Sequence, residues 1–182
     1  PDVIPIGIVG AGNISETHAR AAREIDGVEI AAIYGLNQEK SEQLSHRYGG
    51  TVYSDFEAFL RHSPMKLVAL GSPSSLHAEQ GIAAARQGLH VLVEKPIDIS
   101  TARADPLIAE CEKAGVKLGV FFQDRVAPVL CRVKELIDAG HLVKPILVSA
   151  RLKWYRSPEY YSESRWRGRY LLDGGGALIN QG

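Results

Sequence analysis

The sequence predicts an α/β fold whose first part is a doubly wound parallel sheet. Its last part reads as a piece of an α+β domain with a mostly antiparallel sheet. Three observations lead there. Short apolar runs alternate with helix-like segments of about 10–15 residues, the rhythm of βαβ units. The first run passes straight into a glycine turn that opens a helix. After about Val120 that rhythm gives way to a stretch of alternating apolar and polar residues, as in a sheet covered on one face only.

Ile4–Val9 is the first strand, followed by the turn Gly10-Ala11-Gly12 and a helix over Ser15 to Glu24. Ile25-Asp26-Gly27 turns the chain into a second strand, Val28–Ile33. Gln38 to Tyr48 is a charged amphipathic helix stopped by Gly49-Gly50, and Thr51–Tyr53 is a short third strand. The next helix starts near Ser54 or Asp55, both suited to capping. Leu67–Leu70, His90–Val93 and Lys117–Val120 are three more buried strands. Between them Leu76–Gln87 and Ala102–Ala114 are helices, each closed by a glycine, Gly88 or Gly115. Val126–Ala139 is one further helix. Pro145 then opens an alternating strand, Ile146–Trp154, and Tyr155–Arg169 reads as an irregular, ligand-facing loop. The glycines Gly174-Gly175-Gly176, followed by Ala177-Leu178-Ile179, read as a helix start. The expected division is therefore 1–120 for the first domain and 121–182 for an incomplete second one.

Composition narrows the partners. Lys+Arg and Asp+Glu both number 21 in 182 residues, so no basic footprint for nucleic acid or an anionic membrane exists. No apolar run approaches the roughly 20 residues that span a bilayer, and Pro1-Asp2-Val3-Ile4 shows no basic region or cleavage pattern. Cys111 and Cys131 match no metal or redox spacing. A soluble, cytoplasmic protein with small-molecule or protein partners and no metal is the expectation.

Gly10-Ala11-Gly12-Asn13-Ile14-Ser15 joins the first strand to the first helix. Gly10 permits the tight turn, and Gly12 lets the backbone approach a pyrophosphate at the helix N-terminus. Ser15 stands at the fingerprint's third small position, where Gly or Ala is usual. This predicts a dinucleotide, with Gly10, Gly12, Asn13 and Ile14 around its phosphates. The second strand ends in Tyr34-Gly35-Leu36-Asn37, with no carboxylate to grip a ribose 2′-hydroxyl and no arginine for a 2′-phosphate. Asn37 can serve either cofactor, so NAD and NADP both fit. The loop Gly71-Ser72-Pro73-Ser74-Ser75-Leu76-His77 after the fourth strand lies where the middle of the dinucleotide passes. Ser72, Pro73 and His77 are candidates to line it. His77 has two readings, a nicotinamide contact or a polar contact without a ligand; for His18 packing is favoured.

Lys95 follows the apolar strand His90-Val91-Leu92-Val93, between Glu94 and Pro96. Ligands of open parallel sheets bind outside the strands' carboxyl ends, and Pro96 forces the chain to turn there. A lysine so placed faces a ligand. Burial beside other cations can also lower an ammonium pKa from about 10.4 by several units, which permits proton transfer near neutrality.

The order of these motifs resembles the Gfo/Idh/MocA family of NAD(P)-dependent oxidoreductases. The likeness is carried by the Gly-Ala-Gly-Asn-Ile turn, Ser72-Pro73…Leu76-His77, and Glu94-Lys95-Pro96. It continues through Phe122-Gln123-Asp124-Arg125, Leu136-Ile137-Asp138-Ala139-Gly140 and Gly174 to Gly182. The resemblance implies a Rossmann domain ahead of an α/β domain with a large, mostly antiparallel sheet, and homo-oligomer contacts through that sheet. It implies hydride transfer between nicotinamide and a hydroxyl-bearing carbon of a sugar, inositol or related polyol. Lys95 would be the catalytic lysine, with Glu94, Lys95, Pro96 and Gln123 near the cofactor. Arg125, Trp154, Tyr161 and Arg167 match substrate-side positions, against an ion pair with Asp124 or Glu135 for Arg125 and aromatic packing for Trp154 and Trp166. The family's usual aspartate–histidine pair would fall beyond Gly182, and Asp173 does not replace it. A nucleotide-binding module without catalysis, or an NAD-assisted glycosidase- or lyase-like relative, are the alternatives.

Overall fold

In a computed structural model of the protein, which describes residues 3–141, 146–147, 149–163, 166–175 and 177–180, six strands form one parallel sheet. They are β1 (Ile4–Val9), β2 (Val28–Tyr34), β3 (Thr51–Tyr53), β4 (Leu67–Leu70), β5 (His90–Glu94) and β6 (Leu118–Phe121). The order β3-β2-β1-β4-β5-β6 runs outward in two directions from β1. Such a sheet opens a crevice at the carboxyl ends of its two central strands, here β1 and β4.

Helices α1 (Asn13–Arg23), α2 (Gln38–Tyr48), α3 (Phe56–Leu60), α4 (His77–Arg86) and α5 (Thr101–Ala114) make the crossovers. The two faces of the sheet are visible in the alternation along β1. Ile6 and Ile8 pack with Ala19, Ala22 and Leu44 of α1 and α2, whereas Val9 joins Val68, Leu70, Val91 and Leu107 on the other face. Each such buried aliphatic side chain contributes roughly 1.5–3 kcal/mol, which is what makes the apolar runs strands in this order. Gly7 is glycine for a packing reason: a Cβ there would lie 2.6 Å from Phe59 Cζ. Asp55, not Ser54, caps α3, its Oδ1 accepting from the Ala58 amide at 2.6 Å.

The expected elements up to Phe121 are all present, within a residue or two at their ends. β6 starts one residue late because the Lys117 amide donates to His90 Nδ1 (3.1 Å). Beyond Phe121 the readings and the structure part more widely. Gln123–Val126 is a 3-10 turn, so the next helix, α6, spans Pro128–Asp138 with Pro128 in its first turn. Its apolar side chains Val129, Leu130, Val133 and Ile137 are exposed.

Among the described residues of Ile146–Trp154 the expected alternating strand is not formed. Pro145 and Val148 lie outside the described residues, and the others of that stretch pair with no strand; Ile146 and Leu147 are fully or almost fully exposed. Alternation shows which face of a strand would be buried, but a strand also needs a neighbouring backbone to bond. The mostly antiparallel sheet is accordingly absent among the described residues. The loop expected over Tyr155–Arg169 contains a short helix, α7 (Pro158–Ser162), because Pro158 follows Ser157 at a first-turn position. Helices α8 (Tyr170–Asp173) and α9 (Ala177–Asn180) flank the glycine run, so the helix start read there is present; Gly176 lies outside the described residues. Among the described residues no helix is long and apolar enough to cross a membrane.

Candidate active site

The β1–α1 turn is built around three small residues. Gly10 has φ +102°, and a Cβ on it would meet Gly71 O at 2.8 Å and Ser15 Oγ at 2.9 Å. Ser15 is fully buried beneath the two glycines, and its hydroxyl has no hydrogen-bond partner among the described residues. It therefore fills the small-residue position by packing and does not cap α1, whose N-cap is Gly12 with no side-chain cap. Gly12 differs from Gly10 in kind. Its φ of −94° suits any residue, and a Cβ on it would touch nothing within 4 Å. Neither backbone nor packing requires glycine at 12, so the open space is on the side a ligand would use. Asn13 and Ile14 lead off α1, both exposed. The turn thus offers backbone amides and a helix N-terminus to a pyrophosphate, and the residues present fit a dinucleotide.

At the tip of β2, Asn37 is the N-cap of α2, with Oδ1 accepting from the Lys40 amide at 3.0 Å. A cavity of about 150 Å³ between the turn and α2 is lined by Gly12, Asn13, Lys40 and Arg47, with Arg47 ion-paired to Glu16. Across the crevice, Ser72 donates its hydroxyl to Gln80 Oε1 at 2.5 Å, and Pro73 precedes the 3-10 turn Ser74–Leu76.

His77 opens α4 but is only 1% exposed. Its Nδ1 lies 2.8 Å from the Pro96 carbonyl oxygen and its Nε2 2.9 Å from that of Ser72. The ring is walled in by backbone, with a carbonyl oxygen within hydrogen-bond reach of each nitrogen. His18 packs as expected, its ring stacked on Phe121 with centroids 4.2 Å apart. Its Nε2 also comes within 2.9 Å of Glu94 Oε1, without the alignment of a directed hydrogen bond.

Lys95 leaves the end of β5 through a cis peptide to Pro96. Its Nζ donates to the backbone oxygen of Asn180 at 2.5 Å. Asn180 is held in turn by Asp173, which is 3% exposed: Oδ1 accepts from Asn180 Nδ2 (2.6 Å) and Oδ2 from the Gly168 amide (2.8 Å). A cavity of about 450 Å³ opens beside the ammonium, bounded by Pro96, Gln123, Arg125, Trp154 and Asn180. Of the residues the sequence pointed to on the substrate side, Lys95, Gln123, Arg125 and Trp154 share this space, while Arg167 does not. The Arg167 guanidinium lies over the Tyr160 ring, 4.3 Å from its centroid. Tyr161 stacks edge-on against Tyr160. Arg125 makes no ion pair with Asp124 or Glu135 among the described residues; Glu135 takes Arg132 at 2.9 Å, and the Arg125 guanidinium sits over Phe122.

One buried acid escaped the sequence reading. Asp98, with a fully buried side chain, accepts from the Ala78 amide (2.9 Å), the Ile99 amide (2.7 Å) and Arg103 Nε (2.8 Å). It caps α4 from the neighbouring loop, where the N-cap residue Leu76 has no side-chain cap to give. The signal available in the sequence was an aspartate three residues beyond Lys95 at the mouth of a buried strand.

A doubly wound sheet, a glycine turn open toward the crevice and a lysine at the neighbouring strand end define a nicotinamide-dinucleotide-binding domain. Residues 4–122 match the profile of the oxidoreductase family with an NAD-binding Rossmann fold, and the chain belongs to that Gfo/Idh/MocA family. It is 30% identical over 148 residues to the glucose-6-phosphate 3-dehydrogenase of Bacillus subtilis, covering 81% of this chain and 42% of that protein. Among solved structures, the WlbA dehydrogenase from Bordetella pertussis, in complex with NADH and UDP-GlcNAcA, superposes with a TM-score of 0.95 at 33% identity. That match covers 99% of this chain and 52% of the other. KijD10, a 3-ketoreductase from Actinomadura kijaniata in complex with NADP, gives 0.71 at 27% identity over 76% of this chain and 45% of its own. The chain thus spans about half the length of these relatives.

Proposed function

We propose that this chain forms the cofactor half of an NAD(P)-dependent oxidoreductase that moves a hydride between nicotinamide and a hydroxyl-bearing carbon of a sugar. The favoured substrate is a nucleotide-activated sugar acid. The observation that carries this reading is the cavity of about 450 Å³ in which Lys95 and Arg125, two cations, face a common space beside the strand ends. Such a pair suits a sugar that has a hydroxyl to activate and an anionic group to anchor. The likeness over 99% of the chain to a dehydrogenase holding NADH and a UDP-sugar acid supports the same substrate class. Inositol and simple polyols belong to the wider range of this chemistry.

In this reading residues 1–120 carry the cofactor and 121–182 belong to the substrate domain. Gly10, Gly12, Asn13 and Ile14 present backbone to the pyrophosphate, Asn37 and Lys40 face the adenosine ribose, and Ser72 and Pro73 line the middle of the groove. Glu94, Pro96 and Gln123 border the nicotinamide end. Bound nicotinamide supplies the hydride acceptor. In oxidation the Lys95 amine takes the proton of the reacting hydroxyl as its carbon gives up the hydride, in reduction the ammonium returns that proton to the carbonyl oxygen, and Arg125 anchors the substrate's anionic group. Cytoplasmic residence and a homo-oligomeric assembly complete the reading. Two free thiols suit a reducing compartment, and the exposed apolar side of α6 suits burial in an assembly.

The test is reduction of NAD or NADP by the full-length protein, followed by absorbance, with UDP-linked uronic acids, neutral UDP-sugars and free inositols. Turnover that requires both the nucleotide handle and the carboxylate is expected. Tight nucleotide binding with no turnover on any of them would favour a binding module instead.

A further inference from the structure

We propose that His77 is a positioning residue: its ring ties the loop that carries Lys95 to the loop that carries Ser72, by donating from both nitrogens. The two loops leave neighbouring parallel strands, β4 and β5, on the same side of the sheet. Nothing in the ladder itself fixes them relative to each other once the strands end. The imidazole does so, with Pro96 O at 2.8 Å on one nitrogen and Ser72 O at 2.9 Å on the other.

Both partners are carbonyl oxygens, which only accept. A neutral imidazole has one N–H and one lone pair, so it would satisfy one carbonyl and set its lone pair against the other. The imidazolium donates to both. An unmet acceptor pair at a site 1% exposed has no water to relieve it, so the bridge as proposed carries a proton on each nitrogen.

The charged groups around it come from every packed element. Asp98 of the β5–α5 segment caps the Ala78 amide one residue along, and Arg103 of α5 offsets that carboxylate while donating to Ser75 O at 2.5 Å. Glu79 on α4 points to solvent. Asp173 belongs to α8, which packs on the Ser74–Leu76 turn, and is engaged by Gly168 and Asn180. The N-terminal dipole of α4 and Arg103 oppose a cation here. Asp98 and the two carbonyls favour it, the carbonyls at hydrogen-bond range.

Pro96 is the residue after Lys95, so releasing its carbonyl lets the lysine's backbone swing. The effect belongs on the placement of the ammonium, not on cofactor affinity. This rests on the reading of Lys95 given above, and the experiment separates the two. In the full-length protein, nitrogen-15 NMR of the wild-type ring at neutral pH is expected to show protons on both His77 nitrogens; a ring with a single N–H overturns the proposal without any variant. His77→Gln, which keeps one donor, is expected to melt cooperatively and bind nucleotide within about threefold of wild type, while kcat falls about tenfold or more. In a Lys95→Ala background the same change should alter kcat less than about twofold, since contacting sites fail to add. An equal loss in both backgrounds, or unchanged kcat, overturns it. If no sugar is turned over by the wild type, the oxidoreductase reading fails, and the ring signature still decides whether His77 bridges the loops.

Discussion

Lys95 Nζ and the backbone oxygen of Asn180 meet at 2.5 Å although 85 residues separate them in the chain. The contact brings the last described helix, α9, to the cofactor half of the crevice, and Asp173 steadies it from behind. Removing the ammonium should therefore cost activity first. Lys95→Ala is expected to lower kcat by about 10²–10⁴, the range of a positioned proton-transfer group, while nucleotide affinity stays within a few-fold. Loss of affinity with kcat intact would place Lys95 among the cofactor contacts only.

Gly12 separates folding from binding. A side chain there meets no protein atom and needs no unusual backbone angle, so Gly12→Val should melt as the wild type does. The same variant should lose at least about 1.4 kcal/mol of nucleotide affinity, tenfold in Kd, because the methyls occupy the phosphate approach. Calorimetry and a thermal melt on one preparation decide it; undiminished binding removes the turn from the cofactor site.

Arg125 is free of carboxylate partners among the described residues and borders the cavity. Arg125→Ala should raise KM for an acidic sugar substrate by about 10–100-fold, the loss of one charge-assisted hydrogen bond of roughly 1.5–3 kcal/mol. Neutral analogues should be little affected. A uniform loss across acidic and neutral sugars would argue for a structural role.

Ser15→Ala should stabilise the fold. The buried hydroxyl has no partner among the described residues, and its removal relieves about 1 kcal/mol of unmet desolvation. A urea titration showing a lower midpoint would mean that the hydroxyl has a partner after all.

Thiol reactivity gives a check on the core. Burial, and after it the neighbouring Glu110 carboxylate, push the Cys111 thiol above its ordinary pKa; the thiolate is the reactive form. Cys131 is half-buried on α6. A disulfide reagent at neutral pH should label Cys131 at least about tenfold faster than Cys111. Equal rates would contradict the packing of α5 against the sheet.

How much of this was readable in the sequence depends on the range over which each residue's partners lie. Lys95, Gly10 and Gly12 were legible because a strand end and a tight turn are local events, read from adjacent residues. His77 was not, because its two carbonyls belong to residues 5 positions before it and 19 after it. Asp98 was missed for the same reason; the Ala78 amide that it caps lies 20 positions before it. The strand expected at Ile146–Trp154, unpaired among the described residues, is a case of another kind. Alternating residues describe how a strand would sit in a sheet, and no described neighbour supplies the sheet. Arg167 was matched to the substrate side together with Trp154, yet of the two Trp154 lines the cavity, while the Arg167 guanidinium lies over the Tyr160 ring.

The cap on α4 also has a bearing on assembly order. Its first-turn amide is satisfied by a carboxylate 20 residues further along, beyond β5. The start of α4 is therefore open until β5 has docked beside β4 and delivered Asp98. In the folded chain the helix start, the Ser72 loop and the Lys95 loop are held together by Asp98 and the His77 ring. Amide exchange during refolding checks this: protection at Ala78 should lag behind that of Ile8 and Ile33.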